Sequence, residues 1–121
     1  MIIGIDFDGT IVERAYPNIG APVPGAIEAM KCLIEQGHKI ILWTTRDRRK
    51  LRQAVVYVEM QGIELFGVNK IPDQDWNESP KPHCDVLIDD TAYGCPLIHP
   101  SDGRRSYVDW SAIDLIGLGA Q

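Results

Sequence analysis

The chain has 121 residues, enough for one compact core and too few for two independently cored domains. Hydrophobic residues at 45% and charged residues at 24% match an ordinary soluble globular chain, which excludes a disordered, collagen-like or disulfide-scaffold protein. Twelve Lys and Arg against 17 Asp and Glu leave a net charge of −5, the wrong sign for a whole-molecule grip on nucleic acid or anionic lipid.

Ile2 to Phe7 is a short, β-branched-rich apolar run closed by Asp8 and Gly9, which predicts a buried parallel strand ending in a sharp turn. Residues 11–23 hold Pro17, Asn18, Gly20 and Pro22, too many breakers for a helix, so a loop or small hairpin is expected. Between Pro24 and Gln36 the apolar positions Ile27, Met30, Leu33 and Ile34 recur at helical spacing, and Gly37 supplies the stop. Lys39 to Thr44 carries Ile40, Ile41, Leu42 and Trp43 in a row, and this spacing predicts a second buried strand. A second helix is expected after Asp47 as N-cap, with Leu51, Ala54, Val55 and Val58 as its stripe and Gly62 as its end. A short strand follows near Glu64 to Gly67. Pro72, Pro80 and Pro82 make residues 70–83 the longest irregular stretch. Val86, Leu87 and Ile88 form another apolar run, a further short strand falls at Pro96 to His99, and a last helix is expected over Trp110 to Leu118, entered from Asp109. Strands alternating with helices predict an α/β, three-layer, Rossmann-like fold with right-handed crossovers and a mostly parallel central sheet.

Cys32, Cys84 and Cys95 are odd in number and form no C-x-x-C pair, and no signal segment is recognisable, so a reducing cytoplasmic setting is expected. No apolar run approaches the roughly 18 residues that span a bilayer, so no membrane partner is expected. His38, His83 and His99 lack helical pairing and offer no zinc set with Cys84.

In parallel α/β sheets ligands gather at the carboxyl ends of the strands. Asp6, Asp8, Gly9 and Thr10 end the first strand, Thr44 ends the second, and Asp89 and Asp90 end another. Carboxylates brought together repel unless a cation or proton lies between them, and an all-oxygen donor set favours a hard ion such as Mg²⁺. With that ion present, Asp6 can act as a nucleophile toward phosphorus, dividing a hard hydrolysis into two displacements. Asp8, two residues on, suits a general acid and base. Gly9 lets the chain leave the strand sharply, so that backbone N–H groups here and at Thr10 fall near a phosphoryl group.

Asp6-Phe7-Asp8-Gly9-Thr10 after an apolar strand resembles the first motif of the haloacid dehalogenase superfamily. Thr44 is similar to the second motif, Lys81 to the third and Asp89-Asp90 to the fourth, so the resemblance covers residues 1 to about 98. It implies Mg²⁺ held by the Asp6 carboxylate, the Asp8 backbone carbonyl and the Asp89-Asp90 pair, with Asp90 the preferred direct ligand. It also implies that Thr44 hydrogen-bonds the phosphoryl oxygens and that Lys81, with Lys70 as its rival, offsets charge in the transition state. Members with an acid in the place of Asp8 are mostly phosphatases, so dehalogenation is disfavoured. Members of this superfamily insert cap domains between the first and second or the second and third motifs. Here those gaps are filled by core elements and two loops, so a single capless HAD-like domain is expected over 1–121.

Arg46, Arg48, Arg49, Lys50 and Arg52 place five bases at the start of the second helix, against the helix dipole. Arg48 to Arg52 read as a solvated face. Arg46, two residues after Thr44 and next to Thr45, is expected beside the phosphoryl site, with Arg46 contacting a substrate anion. The sequence thus points to a Mg²⁺-dependent phosphomonoesterase acting on a small-molecule phosphate ester, its open site covered by a neighbouring copy in a homo-oligomer or left free for a larger phospho-group. A nucleotide or polynucleotide-end phosphatase is the enzymatic alternative, although the net charge disfavours nucleic acid. A non-catalytic metal- and phosphate-binding module is the other class.

Overall fold

Apolar runs too short for helices become the strands of one parallel sheet. The structure, a computed structural model, describes residues 1–120. Strands β1 (Ile2–Ile5), β2 (Lys39–Leu42), β3 (Gly67–Val68) and β4 (Val86–Ile88) lie in the order β3-β2-β1-β4. Helices α1 (Ala26–Glu35) and α2 (Arg48–Met60) make the crossovers from β1 to β2 and from β2 to β3. The fold is α/β and Rossmann-like, as its alternating pattern predicts.

Side chains alternate across the sheet. Ile3, Ile5, Ile40, Leu42 and Ile88 share one buried cluster with Ala26, Ala29, Met30 and Leu33 of α1 and Ala54 and Val58 of α2. Ile41 is buried outside that cluster, on the opposite face. There the cover is irregular chain: Lys81, Pro82 and Cys84 line a groove with Trp43 and Leu87. The layer on that face is therefore a loop rather than a helix.

Register fixes where the functional end of the sheet lies. Ile5 stands level with Leu42 on one side and Ile88 on the other, so the residues after each strand emerge together. Asp6 N–H still donates to the Ile88 carbonyl at 3.0 Å. The strand then stops because the Phe7 carbonyl turns to accept from the N–H groups of Thr10, Ile11 and Val12. Residues 11–23 form the expected small hairpin, closed by the Glu13 N–H to Ala21 carbonyl and Val23 N–H to Ile11 carbonyl bonds at 2.8 and 2.9 Å.

The C-terminal region departs from expectation. Trp110 to Leu118 is not one helix: short 3-10 turns cover Trp110–Ala112 and Gly117–Ala120. Asp109 caps the first turn by accepting from Ser111 N–H, and Ile113 takes an extended conformation that breaks it. Asp114 then accepts from Gly117 N–H at 2.9 Å, making a separate turn. Before them, β5 (Leu97–Ile98) and β6 (Tyr107–Val108) form an antiparallel pair. β6 is two residues long and carries too little pattern to be read from sequence. Its Val108 N–H donates to the Gly9 carbonyl at 2.9 Å, and the buried Trp110 indole donates to the Thr10 carbonyl at 2.8 Å. The last quarter of the chain thus braces the turn after β1.

Candidate active site

Asp6, at the end of the central strand, meets Asp89 and Asp90 from the end of β4. One carboxylate oxygen from each lies within 4.8 Å of the others. Burial, the facing Asp89 and Asp90 charges and a hydrogen bond with Asp90 push Asp6 from 3.8 up to about 8, partly offset by the Phe7 backbone. Thr10 is fully buried between these acids: its hydroxyl donates to Asp6 Oδ2 and accepts from Asp90 N–H, both at 3.2 Å.

Asp90 is almost enclosed, with 7% of its side chain exposed. Its Oδ2 accepts from Arg14 Nε and Nη2 at 2.9 and 2.7 Å. Its Oδ1 is buried and, among the described residues, has no hydrogen-bond partner. A buried carboxylate oxygen without a donor is costly, and beside two further carboxylates it is the position a cation would satisfy. Asp89 is fixed by Thr91, whose N–H and hydroxyl donate to its Oδ1 at 2.9 and 2.8 Å. The donor set is all oxygen, so these residues fit a hard divalent ion.

Gly9 is required twice over. Its φ of +86° is left-handed, and a Cβ there would collide with the Asp90 carboxylate and come within 3.0 Å of Arg14 Nε. Only glycine lets Asp90 and Arg14 sit against the turn.

Asp8 and Arg46 depart from the sequence expectation. Arg46 is buried, and its Nε and Nη2 donate to the two oxygens of Asp8 at 2.8 and 2.7 Å. Its Nη1 and Nη2 also donate to the carbonyls of Pro17 and Asn18, at 3.3 and 2.8 Å. The guanidinium lies 5.1 Å from the Phe7 ring centroid and 5.2 Å from that of Tyr16. Arg46 therefore holds Asp8 and the hairpin rather than facing an incoming anion. The Asp8 carboxylate likewise stands outside the three-carboxylate group, although Asp8 lines the same cleft.

Thr44 is placed by its neighbours: its N–H donates to Asn69 Oδ1 at 2.8 Å and its hydroxyl accepts from Arg46 N–H at 3.1 Å. Thr45 is exposed and lines the cleft. Lys81 does not. It is exposed and lines grooves with Trp43, Cys84 and Leu87 on the far face of the sheet, and Lys70 is also absent from the cleft lining. The irregular chain between β3 and β4 places Lys81 beside Trp43, Cys84 and Leu87. The cations lining the cleft are Arg14 and Arg105. Arg14 lies in the 11–23 hairpin, where no sequence pattern marks it as a site residue.

The cleft has a volume of about 440 Å³ and is walled by Asp6, Asp8, Arg14, Tyr16, Asp89 and Arg105. The solved structure of a conserved protein coded by a locus from Bacteroides thetaiotaomicron is similar to this chain, with 40% sequence identity, a TM-score of 0.73 and 78% of each chain covered. The chain belongs to the family of that protein. No protein-family model and no curated protein matches it. Identity at that level, over more than three quarters of both chains, shows that the family shares this α/β fold.

Among the described residues no helix is long and apolar enough to cross a membrane.

Proposed function

We propose that this chain is a haloacid dehalogenase superfamily member that hydrolyses phosphate monoesters with Mg²⁺, through a phosphoryl group carried on Asp6. The observation that carries the reading is the convergence of the Asp6, Asp89 and Asp90 carboxylates at the end of the central strand, together with an Asp90 Oδ1 that is buried and, among the described residues, unpartnered. Asp6, Asp89 and Asp90 would hold the ion. When bound, Mg²⁺ supplies the positive charge that lets the three carboxylates ionise together and that offsets charge on the transferring phosphoryl group.

The Asp6 carboxylate attacks phosphorus, the ester P–O bond breaks, and the leaving oxygen takes a proton from Asp8. Asp8 then removes a proton from a water that attacks the same phosphorus, releasing phosphate and restoring Asp6. Arg46 aims Asp8 by gripping both its oxygens. Because both oxygens are occupied, the acid role and the base role each require one guanidinium contact to open. The Thr10 hydroxyl orients Asp6 toward the cleft. The Thr44 hydroxyl, which only accepts from Arg46 N–H, and the cleft-lining Thr45 can donate to the phosphoryl oxygens. The N–H groups of Gly9 and Thr10 cannot take the phosphoryl role expected from the sequence, because the Val12 and Phe7 carbonyls already accept them. Arg14 neutralises Asp90. A reducing cytoplasmic setting belongs to this reading, in keeping with three free cysteines.

The nucleotide or polynucleotide-end alternative leaned on the basic cluster. With Arg46 turned inward, its support is reduced to the exposed Arg48, Arg49 and Arg52 on α2. The test is Mg²⁺-dependent phosphate release from an aryl phosphate. Asp6→Asn abolishes it under this proposal, and retained turnover in that variant refutes the mechanism.

A further inference from the structure

We propose that the ester carries a second anionic group, a carboxylate or another phosphoryl group, and that Arg105 receives it; this deepens the phosphatase reading and rests on it. The cleft of about 440 Å³ has room for an organic moiety beyond the phosphoryl group. Its charges are otherwise committed. Arg14 is spent on Asp90, Arg46 on Asp8, and Arg104 on Asp102 and Glu13. Four carboxylates and two paired arginines would, with a divalent cation bound, leave the floor with no net charge. Arg105 lines the same cleft and, among the described residues, has no carboxylate within ion-pair distance.

Its position separates it from the floor. Arg105 is exposed while Asp6 and Asp89 are half-buried and Asp90 is almost enclosed, so it stands at the rim with Tyr16. Its backbone is tied to the site three residues on, where Val108 N–H donates to the Gly9 carbonyl. A guanidinium held at the rim, clear of the metal-binding carboxylates, matches an anion at the far end of the ester rather than the group being transferred.

Calorimetric titration with non-hydrolysable phosphonates in the presence of Mg²⁺ tests this without turnover. Propylphosphonate presents one anion, 3-phosphonopropionate adds a carboxylate, and propane-1,3-diphosphonate adds a second phosphoryl group. The parent protein should bind at least one of the two doubly anionic ligands about 10-fold more tightly than propylphosphonate. Arg105→Gln should erase that preference and leave propylphosphonate affinity unchanged. Which ligand gains more identifies the second group. Equal affinity for all three in the parent, binding of none, or equal weakening of all three by Arg105→Gln overturns the proposal. Preference without any turnover of aryl phosphate supports the Arg105 site and removes the phosphatase reading, whereas turnover without preference does the reverse.

Discussion

Replacing Arg46 by methionine tests whether a buried ion pair holds the catalytic turn. The Arg46 side chain is 1% exposed and that of Asp8 15%, so solvent screens the pair little. Arg46→Met keeps much of the packing against Phe7 and Tyr16 but leaves the Asp8 carboxylate and the Pro17 and Asn18 carbonyls without their donors. Breaking such a pair by removing one partner costs about 3–5 kcal/mol, a large share of the roughly 5–15 kcal/mol that stabilises a domain. With a urea dependence of about 2 kcal/mol per molar, the midpoint should fall by about 1.5–2.5 M. Arg46→Lys keeps the charge but not the two-pronged contact and should lie between. The double variant Asp8→Asn with Arg46→Met removes both charges, so it should be less destabilised than the sum of the singles by about 1 kcal/mol or more. Tryptophan fluorescence and circular dichroism in urea read the parent, the three single variants Arg46→Met, Arg46→Lys and Asp8→Asn, and the double variant. A single-variant loss below about 1 kcal/mol, or strict additivity in the cycle, would refute the account of Arg46.

Asp6 gives a pH prediction. Its folded value, raised from 3.8 to about 8, means that the metal-free native state binds a proton more tightly than the unfolded chain across that window. Stability should therefore fall as pH rises from about 4 to 8, and Mg²⁺, which takes the proton's place, should raise Tm more at pH 8 than at pH 5. A Mg²⁺ effect equal at both pH values contradicts this. Gly9→Ala forces a left-handed alanine against the Asp90 carboxylate. It should cost at least about 1–2 kcal/mol and weaken Mg²⁺ binding by calorimetry, and parent-like affinity would show that the close approach is dispensable. Trp110→Phe keeps the ring but orphans the Thr10 carbonyl, for an expected loss of about 1–3 kcal/mol in urea melts; no change would detach the C-terminal segment from the turn. Lys81→Ala should leave phosphate release at the parent rate, because among the described residues Lys81 makes no ion pair with Asp6, Asp8, Asp89 or Asp90, and a loss of about 10²-fold or more would return it to the site.

Much of the sheet end was legible because strand register is simple. Once Ile2 to Ile5, Lys39 to Leu42 and Val86 to Ile88 pair in parallel, the acids that follow the first and third of these runs must meet. Period and breaker residues carry α1, α2 and the 11–23 hairpin equally well. What the sequence hid were partners far apart along the chain. Arg46 looks like part of a basic run, yet a single turn between β2 and α2 sends it inward to Asp8, 38 residues away, while Arg48, Arg49 and Arg52 stay exposed. Asn69, Arg14 and Arg105 reach the site from loops whose path no local pattern encodes. Lys81 was assigned by order along the chain, and the irregular segment carries it to another face. Trp110 to Leu118, entered from Asp109, reads as a helix, but Asp109 and Asp114 compete for backbone N–H groups and divide the segment into turns.

The central claim is that a phosphoryl group passes through the Asp6 carboxylate. Acid-quenched protein, mixed for milliseconds to seconds with an aryl phosphate and Mg²⁺ and analysed by peptide mass spectrometry, tests it most directly. The account predicts a phosphoryl adduct on the peptide containing Asp6, absent without Mg²⁺ and absent in Asp6→Asn. Phosphate release with no adduct on Asp6 at any quench time, or an adduct on another residue, would contradict it.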